Sequence, residues 1–178
     1  MKLTKSSTYT IQNTEKQDLD LIYLLFEKAI EYMQKKQFVG WTTYDKTFIN
    51  RDQENKLQFK IVQNHRLVCV FSICFSDALI WREKEQGDAI YLHRIVVNPL
   101  FKGQQQLAKI LNWVREWAIK HELKYIRMDT WAENQNIIDY YKSFGFKHIE
   151  DYTTPNTPLL PEQHRDLKVA LLEMKIEL

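Results

Sequence analysis

The stretch NPLFKGQQQLAKIL, Asn98 to Leu111, lies where the pattern of the chain changes. Apolar residues alternate with a period of two before Pro99 and recur about every 3.6 residues from Leu107 onward, which predicts a strand, a turn and a helix. The turn carries Gly103 and then three glutamines. Backbone N–H groups at a helix start have no partner within the helix, and such turns often hold a phosphate group. The stretch therefore predicts an α/β fold with an anion site at this turn.

The same two periodicities predict elements on both sides of this stretch. Thr14 and Gln17 are spaced as in a capping box and predict the start of a first helix, and Gly40 follows its expected end. A turn near Asn64 and His65 is expected to join two strands, and the second, which begins at Arg66, is apolar on both faces, which is typical of a central strand. Strands are expected at 8–13, 57–64, 66–77, 88–99, 124–131, 146–152 and 167–178, and further helices at 46–55, from the turn to about 121, and at 134–144. This order predicts one α/β sandwich.

Length and composition limit the possible functions. The 178 residues predict a single domain. The net charge of +2, with 25 basic and 23 acidic residues intermixed, gives no field strong enough to argue for nucleic acid or an anionic membrane, and neither is expected as a partner. Cys69 and Cys74 lie in an apolar strand and are expected to be free thiols in a reducing compartment. The N-terminal stretch has no apolar targeting segment, so a soluble cytoplasmic protein is expected.

Three segments then occur in a fixed order: LHRIVVNP, KGQQQLAKIL and NQNIIDYYKSFGF. In this order they resemble the fourth strand, the following loop and helix, and the last helix of the GNAT superfamily of acyl-CoA-dependent N-acyltransferases. The family's last segment reads Asn-x-x-Ala-x-x-x-Tyr-x-x-x-Gly-Phe. Asn134, Tyr141, Gly145 and Phe146 are in register with it, and Ile137 replaces the alanine. The resemblance covers residues 8–150 in element order and 90–146 in motif.

The resemblance implies both a fold and an activity. The fold would be a GNAT-like domain over residues 1–178, with a mixed, mostly antiparallel twisted sheet of about seven strands, helices on both faces, and a splay between strands 4 and 5. The activity would be transfer of an acetyl group from acetyl-CoA to a primary amine of a small molecule or peptide, by direct attack through a tetrahedral intermediate. No metal ion is expected, and the protein would be a monomer or a homodimer.

The resemblance also implies where coenzyme A would bind. The main chain of Ile95, Val96 and Val97 would bind the pantetheine arm, and Asn134 would cap its helix, contact the cofactor, or do both. The family's turn reads Arg or Gln, two residues, Gly, one residue, then Gly or Ala, and this chain has Lys102, Gln105 and Leu107 at those places. A turn in right-handed dihedrals with an early helix start would still present its N–H groups. The residues expected at the pyrophosphate are Lys102, Gly103, Gln104, Gln105, Gln106, Leu107 and Ala108.

By the family pattern, Tyr141 would protonate the departing thiolate as general acid and would also contact the cofactor; the other interpretation is a core tyrosine on the sheet-facing side of its helix. His93 is the first candidate for the base, because it lies two residues before Ile95 and so would share its face of the strand. A histidine hydrogen-bonded within the sheet is the other reading. Asp129 and Glu133 are alternative bases.

For the acceptor, Trp41 and Tyr44 lie in a segment that in the family forms a wall of the substrate pocket, although ordinary core packing also fits them. Asp129 would lie in the same pocket. The proline-rich loop from Thr153 to Arg165 could supply a second wall or a dimer contact. Two other functions stay open: an acyl-CoA-binding or catalytically weak regulatory module of the same fold, and an interaction protein.

Overall fold

The computed structural model describes residues 8–177. The first seven residues of the N-terminal stretch and Leu178, which ends the predicted last strand, lie outside the described residues. The helices and strands are, in chain order, β1 Tyr9–Asn13, α1 Leu19–Lys35, α2 Lys46–Glu54, β2 Gln58–Gln63, β3 Arg66–Cys74, α3 Ala78–Trp81, β4 Ala89–Val97, α4 Gln106–Lys120, β5 Tyr125–Trp131, α5 Gln135–Lys142, β6 Lys147–Thr153 and β7 Lys168–Lys175.

These strands form one seven-stranded sheet in the order β1-β2-β3-β4-β5-β7-β6. Only β4 and β5 pair in parallel among the strands described, and the other neighbours are antiparallel. The predicted fold class is thereby confirmed. β3 lies in the interior of the sheet as its two apolar faces predict. The last strand of the chain is also interior, because β7 lies between β5 and β6 and leaves β6 at the edge.

A tight hairpin fixes the register of the central strands. Asn64 and His65, the two residues between β2 and β3, have φ values of 51° and 60°. Positive φ at both positions is typical of the two-residue turns whose twist matches that of the strands. The turn expected at these two residues is confirmed.

Helices cover both faces of the sheet. Ile22 and Phe26 of α1 pack with Ile49 of α2 against Val70 and Val96. On the opposite face, α4 and α5 pack against the sheet through a second set of apolar residues: Leu107, Ile110, Leu111, Val114, Ala118 and Ile138. Each helix therefore buries one apolar stripe, as its periodicity predicts. None of the helices formed by residues 8–177 is long and apolar enough to cross a membrane.

A β-bulge interrupts β4. Val70 pairs with Val96, and Ser72 pairs with His93, so β4 contains one more residue than β3 over this interval. Arg94, in the bulge, has a φ of 52°. The extra residue changes the alternation of the strand. His93 and Ile95 therefore lie on opposite faces, and the prediction that they share one is wrong.

The bulge also marks the end of pairing between β4 and β5. Their parallel ladder runs from Ala89 and Tyr125 to Leu92 and Met128, and no further pair follows in the described chain. β4 nevertheless continues to Val97, which pairs with β3. The two strands thus separate beyond Leu92, and the predicted splay is confirmed.

The start of α1 differs from the prediction. Thr14 is buried, and its hydroxyl donates to the Gln58 side-chain oxygen at 2.9 Å rather than capping a helix. The backbone N–H of Glu15 instead donates to a carboxylate oxygen of Asp18 at 2.7 Å, and α1 begins at Leu19. The predicted capping box at Thr14 and Gln17 is therefore wrong.

Candidate active site

A cavity of about 810 Å³ opens where β4 and β5 separate. Its walls come from α1, the bulged end of β4, the turn before α4, the end of β5, α5 and the loop after β6. The expected site residues that line it are Trp41, His93, Ile95, Val96, Val97, Lys102, Gly103, Gln105, Gln106, Leu107, Asp129 and Tyr141. Residues far apart in sequence thus meet in one cleft.

The turn before α4 presents a series of free N–H groups. Within the described chain, the backbone N–H groups of residues 103–107 donate to no acceptor. Gly103 has a φ of 78°, and Gln105 has φ 53° and ψ 41°, which is left-handed. The helix begins only at Gln106, so the prediction of right-handed dihedrals and an early start is wrong. Gln105 instead adopts a conformation that glycine adopts more easily, and the N–H groups remain free.

Besides the alternative base Glu133, four of the expected residues do not line this cavity: Tyr44, Gln104, Ala108 and Asn134. Asn134 caps α5, because its side-chain oxygen accepts from the Ile137 N–H at 3.2 Å, while its amide group donates to the Val39 carbonyl at 3.0 Å. The expected cap is confirmed, and the expected cofactor contact stays a prediction. Tyr44 is partly buried, packs on Phe26 and donates to Glu27, so its contacts are with α1.

Tyr141 extends from α5 into the cavity. Its ring packs edge-on against Phe146, with the ring centres 6.2 Å apart. The hydroxyl forms no hydrogen bond with any residue that the structure describes. Burial raises the pKa of the Tyr141 phenol above its usual value, and Tyr140 and Asp129 add to this effect. The phenol is therefore protonated at neutral pH and has a proton to give.

Opposite the turn, His93 lies between two carboxyl groups. Its Nδ1 is 3.8 Å from an Asp129 oxygen, and its Nε2 is 3.4 Å from an Asp77 oxygen. The side chains of His93, Asp77 and Asp129 are 10%, 11% and 4% exposed. Burial lowers the pKa of His93 well below its usual value and raises the pKa of Asp129. At neutral pH the imidazole is therefore uncharged.

Several residues of this region carry no motif, and sequence reasoning missed them. Asp77 precedes the short helix α3, which was also not predicted, and His164 comes from the proline-rich loop. His164 lines the cavity, so this loop supplies the second wall that was one of its two predicted roles. Arg94 lines it too, and its Nε donates to an Asp52 oxygen at 2.9 Å. Both members of that pair are 11% exposed.

The other end of the cavity is aromatic. Trp41 stacks on Phe26 and meets Trp131 edge-on, with ring centres 5.4 Å and 5.7 Å apart. Near the turn, the Lys102 ammonium lies 3.6 Å from the ring centre of Tyr32 on α1. This cation–π contact connects the turn with the opposite wall.

The predicted alternative base Glu133 is exposed and does not line the cavity.

Comparisons with known proteins identify the family of the chain. A model of the acetyltransferase (GNAT) family matches residues 28–146. The chain is 29% identical over 148 residues to the uncharacterized N-acetyltransferase MJ1207 of Methanocaldococcus jannaschii, an alignment that covers 80% of this chain and 62% of that protein. The chain thus spans less than two thirds of that relative.

Solved structures share the fold. A GNAT-family acetyltransferase from Listeria monocytogenes superimposes with a TM-score of 0.78 at 16% identity, over 98% of both chains. The ribosomal-protein-S18-alanine N-acetyltransferase from Escherichia coli superimposes with a TM-score of 0.64, also at 16% identity, over 96% of both chains. At these identities the likeness establishes the fold alone.

Proposed function

The chain belongs to the acetyltransferase (GNAT) family, and we propose that it moves the acetyl group of acetyl-CoA to a primary amine of a small molecule or peptide. One observation carries the proposal. A single cavity joins a helix start with free N–H groups, an unpaired strand edge, a protonated phenol and a buried imidazole between two carboxyls. These are the groups that an acetyl transfer from a thioester to an amine needs.

The cosubstrate would lie across the splay. The N–H groups of residues 103–107 would bind the pyrophosphate, since the helix dipole favours negative charge there, and Lys102 would add a cation. The unpaired edge of β4 at Ile95–Val97 would hydrogen-bond the amides of the pantetheine arm. N–H groups of the same edge would stabilise the oxyanion that forms on the thioester carbonyl.

In the reaction itself, the amine nitrogen attacks the thioester carbon. A C–N bond forms, the C–S bond breaks, and the products are an N-acetyl amide and free coenzyme A. The proton that leaves the amine goes to the coupled pair of His93 and Asp129, the candidates for the base that line the cavity. Tyr141 protonates the departing thiolate and regains its proton from solvent.

The acceptor would bind between the aromatic end of the cavity and Asp129. Trp41 and Trp131 present ring surfaces that suit an apolar or flat group beside the amine. Arg94 is already paired with Asp52, so its charge is not free to bind a carboxylate of the acceptor. A small amine or a peptide N-terminus fits this wall. One structural neighbour is a ribosomal-protein-S18-alanine N-acetyltransferase, which supports the inclusion of peptides.

A screen of thiol release tests the proposal. Acetyl-CoA is mixed with the protein and a panel of small amines, polyamines and peptides with free N-termini, and liberated coenzyme A is detected with a thiol reagent. Burial raises the pKa of Cys69 and Cys74 to about 12, so the folded protein itself gives little signal. We expect release that depends on one class of amine. Binding of acetyl-CoA without release for any amine would instead support an acyl-CoA-binding or regulatory module.

A further inference from the structure

The side chains of Asp77, His93 and Asp129 form a nearly closed group, which we call the triad. The two ring nitrogens of His93 face one carboxyl oxygen each, at 3.4 Å and 3.8 Å. Such contacts are often long in the absence of substrate and shorten to hydrogen bonds in the complex. None of the three side chains is more than 11% exposed. The triad must therefore satisfy its polar groups largely internally.

The neutral imidazole of His93 limits the hydrogen bonds that the triad can form. A neutral imidazole has one N–H donor and one nitrogen with a lone pair. The N–H can donate to a carboxylate, but the lone pair repels a carboxylate and needs a donor. Within the triad, only a protonated carboxyl group beside this nitrogen can donate to its lone pair. The favourable state therefore contains a neutral His93, one protonated carboxyl and one carboxylate.

The surroundings decide which carboxyl holds the proton. Burial raises the pKa of Asp77 most, the nearby acidic groups Asp129 and Glu85 raise it further, and Arg94 lowers it. Glu85 accepts the backbone N–H of Asp77 at 2.8 Å and that of Gly87 at 2.9 Å, so its carboxylate is held in place. Burial raises the pKa of Asp129 too, while His164 and Arg94 lower it. Arg94 acts on both carboxyls, so the difference comes from Glu85, which raises the pKa of Asp77 alone. The carboxylate thus belongs on Asp129.

Position leads to the same assignment. Asp129 lines the cavity, whereas Asp77 does not. The Oδ2 atom of Asp77 is buried and has no hydrogen-bond partner in the described chain, and Nε2 of His93 lies 3.4 Å from it. The other charged or titratable groups that face the triad among the described residues are Arg94 with its partner Asp52, His164, Glu85, Cys74 and Tyr141. None of them stands between Asp77 and the imidazole.

We propose that Asp77 is a positioning residue that holds a proton against Nε2 of His93, so that Nδ1–H points to Asp129 and Asp129 faces the cavity as a carboxylate. This proposal rests on the proposed function and deepens it. The carboxylate of Asp129 takes the proton of the attacking amine, and His93 transmits the orientation that Asp77 sets. Asp77 itself touches neither the acceptor nor the cosubstrate.

Two substitutions separate this role from the alternatives. Asparagine in Asp77→Asn keeps a neutral group that can donate to Nε2, whereas Asp77→Ala has no donor. General base catalysis supplies about 10²- to 10⁴-fold, and we expect Asp77→Ala to lose about 10-fold or more of kcat/KM. Asp77→Asn should recover most of that loss, and its kcat/KM should fall toward acid pH in parallel with the wild type. If asparagine loses as much as alanine, Asp77 acts as a carboxylate and the proposal is wrong. If both variants keep full activity, Asp77 has no role.

The tautomer of His93 gives a readout that does not depend on activity. Nitrogen-15 NMR of the ring nitrogens at pH 7 reports which nitrogen is protonated, and the signals missing from His93→Gln assign them among the five histidines. We expect Nδ1–H with a lone pair on Nε2 in the wild type and in Asp77→Asn. An Nε2–H tautomer or a doubly protonated ring in the wild type would overturn the proposal. The expected tautomer in a protein that acetylates no amine would refute the proposed function and leave the triad standing.

Discussion

Replacing Gln105 with proline is expected to weaken the binding of acetyl-CoA about 10- to 150-fold. The substitution removes one of the free N–H groups of the turn. A hydrogen bond to a charged group contributes about 1.5 to 3 kcal/mol, which corresponds to this loss in Kd. Proline also fixes φ near −65°, whereas Gln105 has a φ of 53°. The turn must therefore rearrange, and hydrogen bonds from neighbouring N–H groups can be lost as well. The loss of acetyl-CoA affinity should therefore be at least about tenfold.

Gln105→Gly is the matched control. Glycine keeps the N–H group and adopts the left-handed conformation freely, which removes a strain of about 1 to 2 kcal/mol that a side chain causes there. The greater freedom of glycine in the unfolded chain offsets about 0.5 to 1 kcal/mol of this gain. The control should therefore be as stable as the wild type or slightly more stable, with an unchanged Kd.

Isothermal titration with acetyl-CoA measures both variants, after circular dichroism and thermal unfolding have verified that each is folded. A Kd for the proline variant at least about tenfold above that of the glycine variant is the expected result. Equal Kd values in two folded variants would show that the backbone N–H of Gln105 does not bind the pyrophosphate of acetyl-CoA.

Three further substitutions test the general acid, the buried ion pair and the protonated carboxyl. Tyr141→Phe should lower kcat about 10²- to 10⁴-fold in the thiol-release assay and leave the Kd of acetyl-CoA unchanged; retained turnover would assign the residue to the core. Asp52→Ala leaves the buried Arg94 unpaired and should lower the free energy of unfolding in urea by about 3 to 5 kcal/mol, and a loss below about 1 kcal/mol would contradict the pairing. Because burial raises the pKa of Asp77, the folded protein keeps the proton of this carboxyl to a higher pH than the unfolded protein. The wild type therefore loses stability as pH rises from the pKa of Asp77 in the unfolded state to its pKa in the folded state. Asp77→Asn should therefore gain stability relative to the wild type from pH 4 to pH 8 in urea unfolding, whereas a constant difference would speak against the raised pKa.

The sequence predicts the elements well where a period extends over several residues. The stripe of α4, the alternation of β2 and the continuous apolar run of β3 give their positions within a few residues, and the turn at Asn64 and His65 forms as expected. The capping box at Thr14 was wrong because a second acceptor, Asp18, lies one residue beyond Gln17 and binds the backbone of Glu15. Local spacing alone could not show which of two similar caps forms.

The site was only partly predictable, for physical reasons that particular residues show. A single extra residue in β4 leaves no mark in the run HRIVV, yet it moves His93 and Ile95 to opposite faces. Asp77 reaches His93 only because the loop after β3 folds back on the sheet, and no motif spans that distance. Gln105 takes a left-handed conformation that glutamine seldom adopts, so composition argued for another turn geometry.

Acetyl-CoA is proposed to bind across the splay with its pyrophosphate on the turn before α4. Backbone amide NMR of the ¹⁵N-labelled protein during a titration with acetyl-CoA observes the proposed donors themselves. We expect a saturable one-site change in which the amide signals of residues 103–107 move, together with those of Ile95–Val97 on the β4 edge. Saturable binding that leaves these signals in place, or no change at millimolar acetyl-CoA, would contradict it.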